Sequence, residues 1–276
     1  MMLFVTWNVT PEIGEWFHIS FRWYSLLFAL GLFFGGWFLF SRMKKAGFSQ
    51  SLFESLLVYL FVGLFLGARL VHCLFYEPHY YWEHPLELLL PITQLTDGSF
   101  VFSGYHGLAS HGGAIGVALA LWFYARRYKV SFLQLADYIA IATPLAGGFI
   151  RLGNLFNSEI VGAPTTAPWA FVFTAVDAIP RHPAQVYEAV YYFLFFGICC
   201  VLYHNKKTFP SGFFLSFVII GVLVFRFFIE FLKEVQVPFE QAMTLNMGQW
   251  LSLPLIVVGA VLMWWVFKHD KSVHFK

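Results

Sequence analysis

The chain has 276 residues, of which 59% are hydrophobic and only 12% charged; its mean hydropathy is +0.68 and its formal net charge +2. A soluble domain carries roughly 25% charged residues, so the composition excludes an ordinary soluble enzyme. A net charge this small excludes nucleic acid as a partner, because phosphate backbones are held by many basic residues. What remains is an all-α integral membrane protein.

A membrane span needs about 20 apolar residues. Measured that way, the chain predicts seven transmembrane helices at roughly 22–40, 55–76, 107–125, 132–151, 184–203, 212–232 and 248–267. Glu12 and Glu15 precede the first span and its basic residues follow it. This is the reverse of a cleavable signal peptide and places the N-terminus outside. Eleven of the seventeen Lys and Arg residues fall in four clusters: Arg42, Lys44 and Lys45; Arg126, Arg127 and Lys129; Lys206 and Lys207; Lys268, Lys271 and Lys276. Each cluster follows an odd-numbered span, as the positive-inside rule expects of cytoplasmic loops, so the C-terminus is cytoplasmic. The whole chain, 1–276, reads as one transmembrane domain.

Two extracytoplasmic connections, 77–106 and 152–183, are long enough to form loop or arm elements. The first holds PHYYWEHPLELLLP, which reads as an interfacial amphipathic helix. The second holds the apolar run FVFTAV, suited to a short strand or a loop packed on the membrane surface. Cys73, Cys199 and Cys200 lie in apolar segments without metal or redox spacing and read as packing residues. No metal site is expected.

Six cations stand apart from the topological clusters: Arg22, Arg69, Arg151, Arg181, Arg226 and Lys233. They fall on the outer side or inside spans, where a cation is costly and usually functional. The densest polar cluster is RLGNLFNSEIVG, with Arg151, Asn154, Asn157, Glu159 and Gly162. Helical spacing puts Arg151 and Asn154 on one face, and a guanidinium beside amides suits phosphate oxygens; a snorkelling Arg with a capping Asn is the plainer alternative. SGYHGLASHGGAIG opens the third span with His106, His111, Gly112 and Gly113. Its glycines allow either close approach of backbone amides to a ligand or tight helix contact, and a His there can act as base or hydrogen-bond donor. In FRFFIEF, Arg226 and Glu230 are four residues apart on one helical face, either an internal ion pair or half of a shared anion site with Arg151. RHPAQVYEA brings Gln185, Tyr187 and Glu188 to the outer level, and Arg22, Trp23 and Tyr24 open the first span.

Together these stretches resemble the prolipoprotein diacylglyceryl transferase family. The likeness runs through RWY at 22–24, GARL at 67–70, HGGAIG at 111–116, RLGNLFNSEIVG at 151–162, HPAQVYE at 182–188, FRFFIEF at 225–231 and NMGQWLSLP at 246–254. The chain departs from the family pattern at Val222, where relatives often carry Tyr, and in the ExxRxxD tail, where Glu230, Lys233 and Glu234 stand. The resemblance implies a bacterial inner-membrane enzyme with its active site toward the periplasmic face. Such an enzyme moves the diacylglyceryl group of phosphatidylglycerol to the lipobox cysteine thiol of a preprolipoprotein signal peptide. A thioether forms and glycerol 1-phosphate leaves, with no cofactor.

In that frame Arg151 and Arg226 would clamp the phosphate and Asn154 orient it. His111 would assist thiol deprotonation or bind the glycerol phosphate. Glu159, Gly162, Tyr24, Gly112, Gly113, Gln185, Tyr187 and Glu230 would shape the substrate pocket. The other classes open to this sequence are a transporter or channel for an anionic solute, and a lipid-binding scaffold. A transporter needs an inward path, yet polar residues thin out toward the cytoplasmic half, and no internal repeat is visible.

Overall fold

Long apolar runs free of mid-segment charge have one low-energy solution in lipid, the α-helix, because it satisfies its own backbone hydrogen bonds. The computed structural model follows that rule and describes residues 4–16, 19–95, 98–102, 107, 109–205, 209–235, 240 and 243–269. His106, Asp97, Lys206, Lys207, Lys271 and Lys276 lie outside the described residues. The chain opens with strands β1 (Val5–Trp7), β2 (Glu12–Trp16) and β3 (Ile19–Arg22), then helices α1 (Trp23–Lys45) and α2 (Gln50–Val71). Next come α3 (Pro78–Glu83), α4 (Pro85–Leu89), β4 (Ile92–Gln94), β5 (Phe100–Phe102), α5 (Ser110–Tyr128) and α6 (Phe132–Phe156). The last elements are β6 (Phe171–Phe173), β7 (Pro180–Arg181), α7 (Ala184–His204), α8 (Phe213–Ile229) and α9 (Met247–Lys268).

Among the described residues six helical segments are long and apolar enough to cross a membrane: Trp23–Lys45, Gln50–Tyr76, Phe132–Phe156, Ala184–His204, Phe213–Leu232 and Met247–Lys268. Mid-helix side chains such as Phe33, Trp37, Phe61 and Val257 are each more than 60% exposed. Water would not tolerate so continuous an apolar face, so lipid is the solvent these helices fit. The segment expected as a third span forms α5, nineteen residues long but diluted by Gly112, Gly113, Gly116, Arg126 and Arg127.

Packing divides the chain into two units, Met1–Ala46 with Ala136–Lys276, and Gly47–Leu135. In the first, α6 is the most enclosed helix, with 44% of its apolar window buried against 17–28% for α1, α7, α8 and α9. It stacks Phe149 on Phe34 of α1 and meets Phe193 of α7 edge-on. At its other end the buried carboxylate of Asp137 accepts the Gly212 and Leu215 amides at 2.7 Å each, tying down the start of α8. That contact gives Asp137 a packing role. A three-stranded sheet in the order β1-β6-β7, with β1 parallel to β6, covers the end of α6, and the FVFTAV run supplies its central strand. The Trp7 indole N–H donates to the Leu155 carbonyl, and Trp23 stacks on Phe156.

In the second unit α2 and α5 cross closely. A Cβ at Gly112 would collide with the Gly67 carbonyl and would lie 2.5 Å from Val71 Cβ. Close approach of two helices through small residues is how apolar helices associate where no hydrophobic force acts between them. The stretch expected as one amphipathic helix is two, α3 and α4, broken at His84. Pro85 is the cause: it disfavours helical geometry in the preceding residue, and His84 sits at φ −122°, ψ 62°. Arg69, 3% exposed, holds this arm by donating to the carbonyls of Leu88, Glu87 and Gly107, with its guanidinium over the Tyr81 ring.

Candidate active site

The apolar helix α6 does not stop at Arg151, as the span boundary suggested, but continues to Phe156. Arg151 and Asn154 are therefore helical residues three apart, and Arg151 Nη1 donates to Asn154 Oδ1 at 3.1 Å. Asn154 Nδ2 in turn donates to Glu159 Oε2 at 3.1 Å, while Asn157 Nδ2 donates to Glu159 Oε1 at 3.0 Å. The turn that brings Glu159 back toward the helix passes through Ser158 and Ile160, both non-glycine residues at positive φ (53° and 56°). Such positions cost energy and persist only where surroundings enforce them. The carboxylate itself is exposed.

Arg151 is also bound on its other edge. Its Nε lies 3.2 Å from Glu188 Oε2, a carboxylate with no exposed surface on α7. Glu188 Oε1 accepts from Lys233 Nζ at 3.1 Å, and the same ammonium donates to Glu230 Oε1 at 3.0 Å. Glu230 Oε1 lies 3.7 Å from Arg226 Nε on α8. The result is a continuous series of alternating charges from α6 through α7 to α8: Arg151, Glu188, Lys233, Glu230, Arg226. Asn246, which caps α9, adds a donor to Glu230 Oε2 at 3.0 Å. Each arginine touches its carboxylate through Nε, the inner edge of the guanidinium fork.

Of the anticipated site residues the first unit brings together Tyr24, Arg151, Asn154, Glu159, Gln185, Arg226 and Glu230. The Tyr24 ring lies over Gly153, where a Cβ would stand 2.8 Å from Tyr24 Cδ2. Gln185 Nε2 donates to the Glu159 carbonyl at 2.5 Å, and its buried Oε1 has no partner among the described residues. Gly162 is needed for chain packing, since a Cβ there would strike the His182 carbonyl, and it bridges to Lys233. Tyr187 belongs to a neighbouring aromatic group: its hydroxyl accepts from Trp169 Nε1 at 2.8 Å and lies 3.2 Å from His182 Nδ1. His111, Gly112 and Gly113 belong to the second unit, with His111 exposed in the first turn of α5. There the glycines face α2, so of the two uses open to them helix contact is the one visible.

Glu188 and Lys233 were not singled out as site residues, although the sequence carried a signal for each. Glu188 is a carboxylate entering an otherwise apolar span, and Lys233 was one of the six displaced cations. Their partnership spans 45 residues and no spacing rule reaches that far. Arg181, another displaced cation, is accounted for locally. Hydrogen bonds from it hold the Asp177 carboxyl below the usual carboxylate range, and it also pairs with Glu234 at 2.8 Å.

Comparison with known proteins decides the family. The family profile described as Prolipoprotein diacylglyceryl transferase matches residues 11–265. The chain belongs to the prolipoprotein diacylglyceryl transferase family. It is 47% identical over 274 residues to the phosphatidylglycerol–prolipoprotein diacylglyceryl transferase of Bacteroides fragilis, covering 99% of both chains. The enzyme of the same description from Tolumonas auensis is 41% identical over 263 residues, 95% of this chain and 96% of that one. The one from Porphyromonas gingivalis is 38% identical over 286 residues, 98% and 96%. In this prolipoprotein diacylglyceryl transferase family member the ion-pair series links two arginines through two buried acids and one buried lysine.

Proposed function

We propose that this protein transfers the diacylglyceryl group of phosphatidylglycerol to the lipobox cysteine thiol of a preprolipoprotein signal peptide, the first step of bacterial lipoprotein maturation. The thiol loses its proton, the sulfur forms a bond to the glyceryl carbon, and the carbon–oxygen bond to phosphate breaks. Glycerol 1-phosphate departs with the electron pair. The observation that carries this reading is the Arg151–Glu188–Lys233–Glu230–Arg226 series, which ties two guanidinium groups from separate helices into one charged assembly.

Arg151 and Arg226 would grip the phosphate through their remaining N–H groups, and Asn154 would orient it. Negative charge grows on the phosphate as it leaves, and preorganised donors aimed at developing charge are usually the largest contribution to rate. The nucleophile belongs to the substrate, so Cys73, Cys199 and Cys200 need no chemical role. A free thiol has a pKa of about 8.5, so the deprotonation His111 would assist is modest. Tyr24, Glu159, Gly162, Gln185, Tyr187 and Glu230 would line or support the lipid headgroup's seat.

The protein would lie in the bacterial inner membrane with this site toward the periplasm. Seven spans are proposed, α5 being one, with the N-terminus outside. Basic residues in the last turns of α1, α5 and α9 support that orientation. The test is a transfer reaction with purified protein, phosphatidylglycerol and a lipobox peptide. Thioether product and glycerol 1-phosphate in equal amounts are expected; an absence of both under conditions where the protein is folded contradicts the proposal.

A further inference from the structure

A second cationic position lies at the opposite ends of α1 and α7, where the charge pattern puts the cytoplasmic face. Arg42 borders a cavity of about 440 Å³ together with Phe38, Cys200, Tyr203, His204 and Asn205. The guanidinium carbon stands 5.3 Å from the centroid of the Phe38 ring and 5.3 Å from that of Tyr203, so two aromatic rings fix the plane of the fork. The Arg42 Nε is buried and has no acceptor among the described residues. Nε is closed to a water-sized atom, so the terminal nitrogens of this guanidinium, which lines the cavity, are the donors a ligand would meet.

The ends of α1 and α7 turn their last carbonyls toward this region, which favours a cation, and Arg42 supplies one. A guanidinium with no carboxylate beside it among the described residues of the cavity lining calls for an anion. No Asp or Glu lines the cavity among the described residues, so a ligand ammonium would find no carboxylate. Lys44 and Lys45 lie in the same last turn of α1 and add positive potential. The walls are mainly carbon, and Val201 on the rim is 58% exposed on an apolar helix. A soluble anion gains nothing from such walls; an acyl chain does.

We propose that this cavity binds the phosphate headgroup of an anionic phospholipid, with Arg42 as its anchor, at a site separate from the reaction centre. Native mass spectrometry of the purified full chain tests it, using phosphatidic acid as probe, phosphatidylcholine as the zwitterionic comparison and glycerol 3-phosphate as the soluble one. Measurement in a background carrying both Arg151→Ala and Arg226→Ala strips the proposed reaction centre of its two phosphate-holding cations. One phosphatidic acid retained there, with occupancy falling tenfold or more when Arg42→Gln is added, is the expected result. Val201→Trp, which fills the cavity from its exposed rim, gives the same loss without touching Arg42 and keeps the test open should Arg42→Gln fold poorly. In an otherwise wild-type chain both substitutions leave diacylglyceryl transfer within twofold. Equal retention with and without Arg42 or the open cavity overturns the proposal. So does equal retention of phosphatidylcholine, or displacement of the lipid by millimolar glycerol 3-phosphate.

Discussion

Lys233 and Glu188 form an ion pair closed to solvent, Nζ to Oε1 at 3.1 Å, with side-chain exposures of 3% and 0%. Neither residue reaches the substrate in the account given above. Their work is to hold charge in place: Glu188 fixes Arg151 at 3.2 Å, and Lys233 fixes Glu230, which faces Arg226 at 3.7 Å. A buried pair contributes little net stability over a well-packed apolar pair, but breaking one by removing a single partner is costly.

Lys233→Met therefore removes the one cation that Glu188 and Glu230 share and leaves each buried acid with a single arginine, Arg151 and Arg226. A loss of about 3–5 kcal/mol is expected, read as a lowered thermal midpoint of the purified protein, together with loss of transfer. Lys233→Arg restores a donor to both carboxylates and should recover most of both. Equal stability of Lys233→Met and the parent chain would show that the network is not under load.

Gly112 serves helix contact in the second unit, so Gly112→Leu should fail through packing. Overfilling a close contact costs typically 1–3 kcal/mol, and here the obstacle is the Gly67 backbone, which cannot rotate away. Gly36→Ala on α1 meets open space and makes the control. It should be neutral or stabilising by up to about 1 kcal/mol. Yield and melting temperature of the two variants check this.

The arm between α2 and α5 carries its own pH dependence. The Tyr80 hydroxyl donates to Glu87 at 2.6 Å, which pushes the phenol up to about 12. Burial raises Glu87, but the Tyr80 hydroxyl and the Gln94 amide outweigh it and leave the carboxyl below its ordinary value. The raised phenol contributes stability below its ordinary pKa of about 10, lost as pH rises through about 12. The lowered carboxyl contributes above the ordinary Glu value, and that is lost as pH falls through its folded value. Tyr80 is 38% exposed, so water screens the pair, and Tyr80→Phe should destabilise the arm by about 0.5–1.5 kcal/mol at neutral pH. The gap to the parent chain should close toward both pH extremes in hydrogen-exchange or limited-proteolysis measurements on 77–95.

Much of the architecture was legible because lipid simplifies the rules. Length and apolarity located six of the helices within a few residues, and the i, i+3 spacing of Arg151 and Asn154 put them on one helical face, where they are close enough to bond each other. The extension of α6 to Phe156 was not legible, since RLGNLF reads as polar where a span should end. The break at His84 was signalled by Pro85 but masked by the amphipathic pattern around it. Glu188 escaped because its value comes from partners 37 residues before and 45 after it, a relation that only packing of α6, α7 and α8 creates. Gly112 and Gly113 offered two uses in sequence, ligand approach and helix contact, and only neighbours in space separate them.

The most direct test of the central claim is a double-mutant cycle on Arg151 and Arg226, read as diacylglyceryl transfer from phosphatidylglycerol to a lipobox peptide by folded, purified variants. If both guanidiniums hold one departing phosphate, Arg151→Ala and Arg226→Ala each lower the rate about 10²–10³-fold. The double variant then falls by much less than the product of the two, since groups acting as a unit are not additive. Near-parental transfer by either single variant, or strictly multiplicative losses in the double, would contradict the account.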